Sequence, residues 1–270
     1  MRGLAVIAVM VATALPAQAL AAGTMGAGSG SGGQTGGTIT AGVQFGSPPA
    51  AKGKTDTKGC TWQPLAELQT LTISVTEKMV NGIKYVLLYR QCPTSGLAYW
   101  VPQIPLARLG SSAADAVQQR LPSPRVGSAP PADRAVVHVG IWLWTDPAQY
   151  QPVSVTAWVP TITGIAWATT TATPIRLVFL SGEPGASPMS CQGPGRTWLP
   201  QYGDELATSC MYTYQHSSEI TASGVFDATL SIVWSVRWNS NVGAGGSLGE
   251  YTTSTNQPIT VNEIQAIVGG

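Results

Sequence analysis

Charge is what this sequence has least of. Asp, Glu, Lys and Arg together make 10% of the 270 residues and balance to a formal +1, against about 25% in ordinary soluble domains. No basic stripe marks a nucleic-acid or anionic-membrane surface, and neither partner is expected. Histidine is nearly absent too, with two in the chain, and no Cys-x-x-Cys occurs. Those shortages argue against a metal site, and no cofactor is expected. Long apolar runs are also lacking. The longest, Leu4 to Leu15, is short of the roughly 20 residues that a spanning helix needs. Lying behind Arg2 and ahead of Ala17-Gln18-Ala19 and Ala19-Leu20-Ala21, it reads as a signal peptide over residues 1–21. The expectation is an exported chain with no membrane span after processing.

Four cysteines are present, and an even count in an oxidising compartment favours disulfides. Three pairings are open. The local one, Cys60 with Cys92 and Cys191 with Cys210, is expected because each cysteine lies near the ends of elements that should be neighbours. Closing the second loop is worth about 3 kcal/mol on a chain-entropy argument.

Residues 22–58 are dominated at first by Gly, Ser and Thr, with no charge from Gly23 to Ala50, and read as a flexible linker. The GxGxxG match at Gly28 to Gly33 lies inside it with no strand or helix to give it meaning. PPAAKGKT at 48–55 has Pro48 where a phosphate-binding loop needs glycine. Residues 59–130 read as a small unit. Asn81-Gly82 marks a hairpin between Leu71–Val80 and Ile83–Gln91, and a short helix is expected from Ala113 to Leu121, capped by Ser111 or Ser112 and stopped by Pro122. SPRVGSAPPADR then reads as an extended linker.

Residues 131–270 hold the remaining strand candidates: Val136–Trp144, Val153–Val159, Ile165–Thr173, Arg176–Leu180, Met211–His216, Phe226–Trp238 and Ile259–Ile267. In the sixth, Phe226, Ala228, Leu230, Ile232, Trp234, Val236 and Trp238 alternate with mostly polar residues, so one face is buried and the other wet. The count and spacing predict an immunoglobulin-like β-sandwich. The loop GEPGASPMSC, 182–191, is expected to be a corner of that fold.

The strand and turn LVFLSGEPG, 177–185, followed by MYTYQHSS, 211–218, resembles the polycystic-kidney-disease (PKD) type of immunoglobulin-like domain. Leu177 stands for its usual Trp and Gly-Glu-Pro-Gly for its Gly-Asp-Gly. HVGIWLWTD, PVSVTAWVP, TATP, CQGPG, CMYTYQHSS, VWSVRW and EIQAI together resemble a group of secreted actinobacterial proteins with a degenerate PKD-like domain. That resemblance, over about Cys60 to Ile267, implies a fold and an address and supplies no activity. PKD-type domains as a class serve adhesion, glycan contact and protein contact.

Candidate sites are few. GGSLG, 245–249, matches the serine-hydrolase elbow, but both histidines, His138 and His216, precede Ser247 and no helix follows, so a loop is the better account. Asp204 and Glu205, adjacent on a loop, are expected to be solvated. His138 is expected to be structural, and His216 either structural or a turn cap. Tryptophan is the abundant feature, nine against three Phe. On Val136–Trp144 one parity carries Val137, Val139, Ile141 and Leu143, which places His138, Trp142 and Trp144 on the other. Trp158 lies on the polar side of its own strand, with Ser154 and Thr156. These four form the candidate contact face, to be covered by the first unit, a partner protein or a stacked sugar. Trp234 and Trp238 are expected in the core. The resulting expectation is a non-catalytic, secreted or cell-surface protein that contacts an envelope protein; the alternative is a cell-wall glycan-binding module using exposed Trp residues.

Overall fold

The structure, a computed structural model, describes residues 44–45, 55–56, 58–67, 75–202, 206 and 208–264. The leader, the Gly28–Gly33 match, most of the expected linker, Asp204 and Glu205 lie outside the described residues. Among the described residues the chain is mainly β, with one α-helix and both expected disulfides.

In chain order the elements are β1 (Gln44–Phe45), β2 (Thr61–Pro64), β3 (Glu77–Val80), β4 (Ile83–Gln91), β5 (Gly96–Pro102), α1 (Leu106–Gln118), β6 (Val126–Ala129), β7 (Ala135–Val136) and β8 (Gly140–Thr145). Then follow β9 (Val153–Thr161), β10 (Gly164–Leu180), β11 (Met189–Gln192), β12 (Met211–Thr213), β13 (Phe226–Ser240), β14 (Gly245–Ile259) and β15 (Val261–Asn262). The largest sheet has six strands in the order β1-β9-β10-β13-β14, with β11 paired to β10 beyond the end of β9. A three-stranded sheet runs β12-β8-β6, and β15 pairs with β7 in parallel. A four-stranded sheet is built on β4, with β5 along 85–91, β2 along 88–91 and β3 along 83–86.

Alternation on β13 holds for Phe226, Ala228, Leu230, Ile232, Trp234 and Val236, which are fully buried, whereas Trp238, expected in the core, is half-buried against the second cluster, and Ser231 and Val233 on the expected wet face are buried. Directly opposed residues share a face, so Leu177 and Phe179 of β10 and Val155 and Ala157 of β9 extend that apolar face. The three-stranded sheet covers one end of it with Ile141, Leu143 and Tyr214, and α1 covers the other with Ala113 and Val117. A second cluster joins Trp62, Val86, Leu88 and Val101 of the four-stranded sheet to Leu109 of α1 and to Trp158, Val159 and Ile165. The first unit therefore shares cores with the strands that follow it.

The helix starts earlier than expected. Pro105, at φ −58° and ψ 141°, holds the last extended residue, and Leu106–Gln118 follows. Ser111 and Ser112 are interior, their hydroxyls bonding back to the Ala107 and Arg108 carbonyls at 3.1 and 3.0 Å instead of capping. Pro122 stops continuation as expected. Gly110 lets the helix backbone meet the sheet. A Cβ there would lie 2.8 Å from the Trp238 ring, and the Gly110 carbonyl accepts the Thr170 hydroxyl at 2.8 Å.

Several strands differ from expectation. Ile165–Thr173 and Arg176–Leu180 are one strand, β10, with a register shift between Pro174 and Arg176, because a bulge accommodates the proline that suggested a break. The extended linker after the helix contributes β6 to the three-stranded sheet. The 22–58 linker contributes Gln44–Phe45, paired with β9, and Asp56. The last expected strand is instead the end of β14 and the short β15, and residues 265–267 lie outside the described residues. β14 went unrecognised because GEYTTSTNQ offers no apolar parity. β5, Gly96–Pro102, lies where the sequence analysis assigns no element.

Candidate contact surface and buried carboxylate knots

His138, Trp142, Trp144 and Trp158 do not form one face. The strand expected from Val136 to Trp144 is broken: His138 takes φ +62°, a conformation in which His is enriched among non-glycine residues, and its N–H donates to the Tyr214 carbonyl at 2.9 Å. The break leaves His138 and Val139 exposed, so the parity read through them fails. Trp142 and Trp144 do share the outer side of β8. Trp142 is nonetheless 3% exposed. The second disulfide loop folds over it and lays Tyr202 parallel to its indole, centroids 6.2 Å apart, with the Arg196 guanidinium 5.6 Å from the Tyr202 ring. Trp144 is half-buried against Gly127 and Gly195, where a Cβ would collide with it. Trp158 is 2% exposed and belongs to the cluster shared with the first unit. Trp142 and Trp158 are thus covered by this chain itself, Trp158 by the first unit, one of the three coverings the sequence leaves open, and Trp142 by Tyr202 of the second disulfide loop.

A cavity of about 370 Å³ opens beside the second disulfide, lined by Gln192, Pro194, Gly195, Arg196, Thr208 and Ser209. The Pro194 carbonyl accepts the Thr145 amide at 2.8 Å, which fixes this loop to β8.

Two buried carboxylates act as knots. The turn after β10, with Gly182 at φ +73° and Gly185 at φ +78°, directs Glu183 inward. Its carboxylate accepts Tyr212 Oη at 2.6 Å, the Gln215 and His216 amides at 2.8 Å each, and His216 Nδ1 at 2.9 Å. A carboxylate only accepts, so Nδ1 carries the proton in this bond. Tyr214 Oη donates to the Ser181 carbonyl at 3.1 Å, and its ring stacks on Phe226. Burial pushes the Glu183 carboxyl up, but these four donors more than offset it and hold it below its ordinary range. Burial, reinforced by Glu183, raises the Tyr212 hydroxyl.

The other knot is Asp56. Oδ1 accepts the Lys58 and Cys60 amides at 2.9 and 3.1 Å; Oδ2 accepts Trp62 Nε1 at 3.1 Å and Arg90 Nε at 2.7 Å. Burial again works upward, and Arg90 with the two amides brings the net shift below the ordinary value. Each knot adjoins an element pinned by a disulfide.

Ser247 lies exposed on β14, opposite Arg237, in a strand and not at a turn into a helix. Among the described residues no three His, Cys, Asp or Glu side chains gather as metal ligands.

The four-stranded sheet carries a second aromatic surface, apart from the four candidate contact residues. Val86, Leu88 and Val101 point to the shared core, so the opposite parity places Tyr85, Leu87, Tyr89 and Trp100 together on the outer face, all half-buried. Lys78 Nζ sits 4.4 Å from the Trp100 ring centroid and 5.8 Å from that of Tyr85. The signal was in IKYVLLYR, which is apolar at both parities. A strand of that kind has two faces to cover.

No protein-family model matches the chain, and neither a curated protein nor a solved structure does.

Proposed function

We propose that this is a secreted, non-catalytic protein of the bacterial envelope that works by binding another protein through the outer face of β3, β4 and β5. The observation that carries the reading is the half-exposed row of Tyr85, Leu87, Tyr89 and Trp100 with Lys78 above it. Tyr and Trp supply large contact area at small entropic cost and are enriched at interface centres. Two disulfides favour an oxidising compartment, and no helix among the described residues is long and apolar enough to cross a membrane. Glu183 and Asp56 have their carboxylates engaged by four donors each, which suits struts better than acid–base groups. That residues 131–270 are a degenerate PKD-like sandwich is part of the proposal and rests on the resemblance carried by LVFLSGEPG and MYTYQHSS.

The test is in-cell cross-linking of the tagged chain followed by mass spectrometry, run beside a Tyr85→Ala/Trp100→Ala variant. Capture of one envelope protein by the wild type, falling about tenfold or more in the variant, supports the reading. Equal capture by both would sink it. A second reading, contact with a cell-wall glycan, is favoured by the polar cavity beside Arg196 and Tyr202. Saturable quenching of Trp fluorescence by peptidoglycan fragments, lost in Arg196→Ala, would support that reading.

A further inference from the structure

We propose that β14 is a self-association edge, pairing antiparallel with β14 of a second copy of this chain. The strand runs fifteen residues at the end of the six-stranded sheet, with β13 on one side. Among the described residues no strand lies on its other side and no loop or turn backbone bonds to the backbone of Gly245–Ile259; the Pro122 carbonyl meets only a side chain, accepting the Thr253 hydroxyl at 2.8 Å. An edge of that length presents a row of unpaired N–H and C=O groups.

Proteins usually blunt such edges with charge, proline, bulges or shortness. Here Pro258 stands near one end. A register shift beside Val236, with Gly249 at φ +89°, disturbs the other. The stretch between, Glu250 to Gln257, has one charged residue. That charge is drawn away from the edge: Arg176 reaches across β13 and binds the Glu250 carboxylate at 2.8 and 3.3 Å. The remaining edge is long, regular and without an outward charge.

The side chains select a second copy over a foreign strand. A bound foreign strand gains specificity from pockets for its alternate side chains. The exposed row beside this edge is Thr252, Ser254 and Asn256, which offers hydrogen bonds instead of pockets; the other row, Tyr251, Thr253 and Thr255, is half-buried, with Thr253 already bonded to Pro122 and Trp234. With Thr252 opposite Thr252, Glu250 faces Ser254, so no like charges meet. The same face already builds cross-strand hydroxyl pairs: Ser231 with Ser254 at 2.9 Å, Thr156 with Thr169 at 2.7 Å and Ser154 with Thr171 at 2.8 Å. A two-fold pairing extends these ladders across an isologous interface.

The experiment is sedimentation velocity over a concentration series on residues 22–270, for the wild type, Thr252→Lys at the two-fold and Thr173→Lys on the same face of β10. The wild type and Thr173→Lys should be dimers that dissociate on dilution, and Thr252→Lys should raise the dissociation constant roughly tenfold. Amide exchange of Glu250–Gln257 should slow in the wild-type dimer, which decides the matter even if Thr252→Lys misfolds. A wild type that is monomeric throughout, a dimer unmoved by Thr252→Lys with unchanged exchange at β14, or a monomer whose β14 takes up a foreign peptide would each overturn the proposal.

Discussion

Glu183 shows how far one residue can organise a fold that carries little charge. Its four donors tie the β10 turn to the chain leaving β12, and Asp56 does the same for the start of the first unit. Replacing Glu183 by Gln turns an acceptor into a donor facing donors, and should cost about 2–3 kcal/mol in urea denaturation near neutral pH. The pH dependence follows from the sign of the shifts. Both carboxyls titrate below their ordinary values of 4.5 and 3.8. The stability they contribute is fully present above those values and is lost as pH falls through the depressed ones. The wild type should therefore lose stability in that acid window, and Glu183→Gln should lose less of it. An identical acid profile for both would contradict the assignment. Neither knot was legible from the sequence: Glu183 reads only as a turn residue because its donors lie 29 to 33 residues further on, and Asp56 falls within the expected linker because nothing local shows that Arg90, 34 residues away, joins its near donors Lys58, Cys60 and Trp62.

Elements were legible where one parity was apolar. β13 followed from its alternation, and the β3–β4 hairpin from Asn81-Gly82, whose φ values of +50° and +75° are those the turn demands. β14 was hidden because its side chains are polar on both faces and its place depends on the neighbour. The break at His138 was hidden because the apolar parity appeared to run through it. At α1 the critical contact is Gly110 against Trp238. Gly110→Ala should gain about 1 kcal/mol in helix propensity yet destabilise overall, by about 1 kcal/mol or more, because backbone and a large ring must separate. A higher melting temperature in the variant would show that the helix does not pack this closely.

At the scale of the whole molecule, the two disulfides brace regions that share cores through α1 and β9. Their pairing was legible from spacing and compartment, while the sharing of cores was legible only as one of three coverings for Trp158, since a Trp on a polar parity does not say which of them it takes. Replacing Cys191 and Cys210 together by Ala should cost about 3 kcal/mol, read by thermal melts. It should also loosen the loop that holds Tyr202 over Trp142, visible as a shift in Trp emission. A melting curve and emission spectrum like the wild type's would mean that the loop is held by its other contacts alone.

In the proposed function, the outer face of the four-stranded sheet meets another protein. That contact is tested most directly by placing a photo-cross-linking residue at Leu87, and for comparison at Thr173, and illuminating intact cells. One reproducible envelope-protein adduct is expected from position 87 and is expected to be absent from 173. No protein adduct at 87, or the same adducts from both positions, would contradict it.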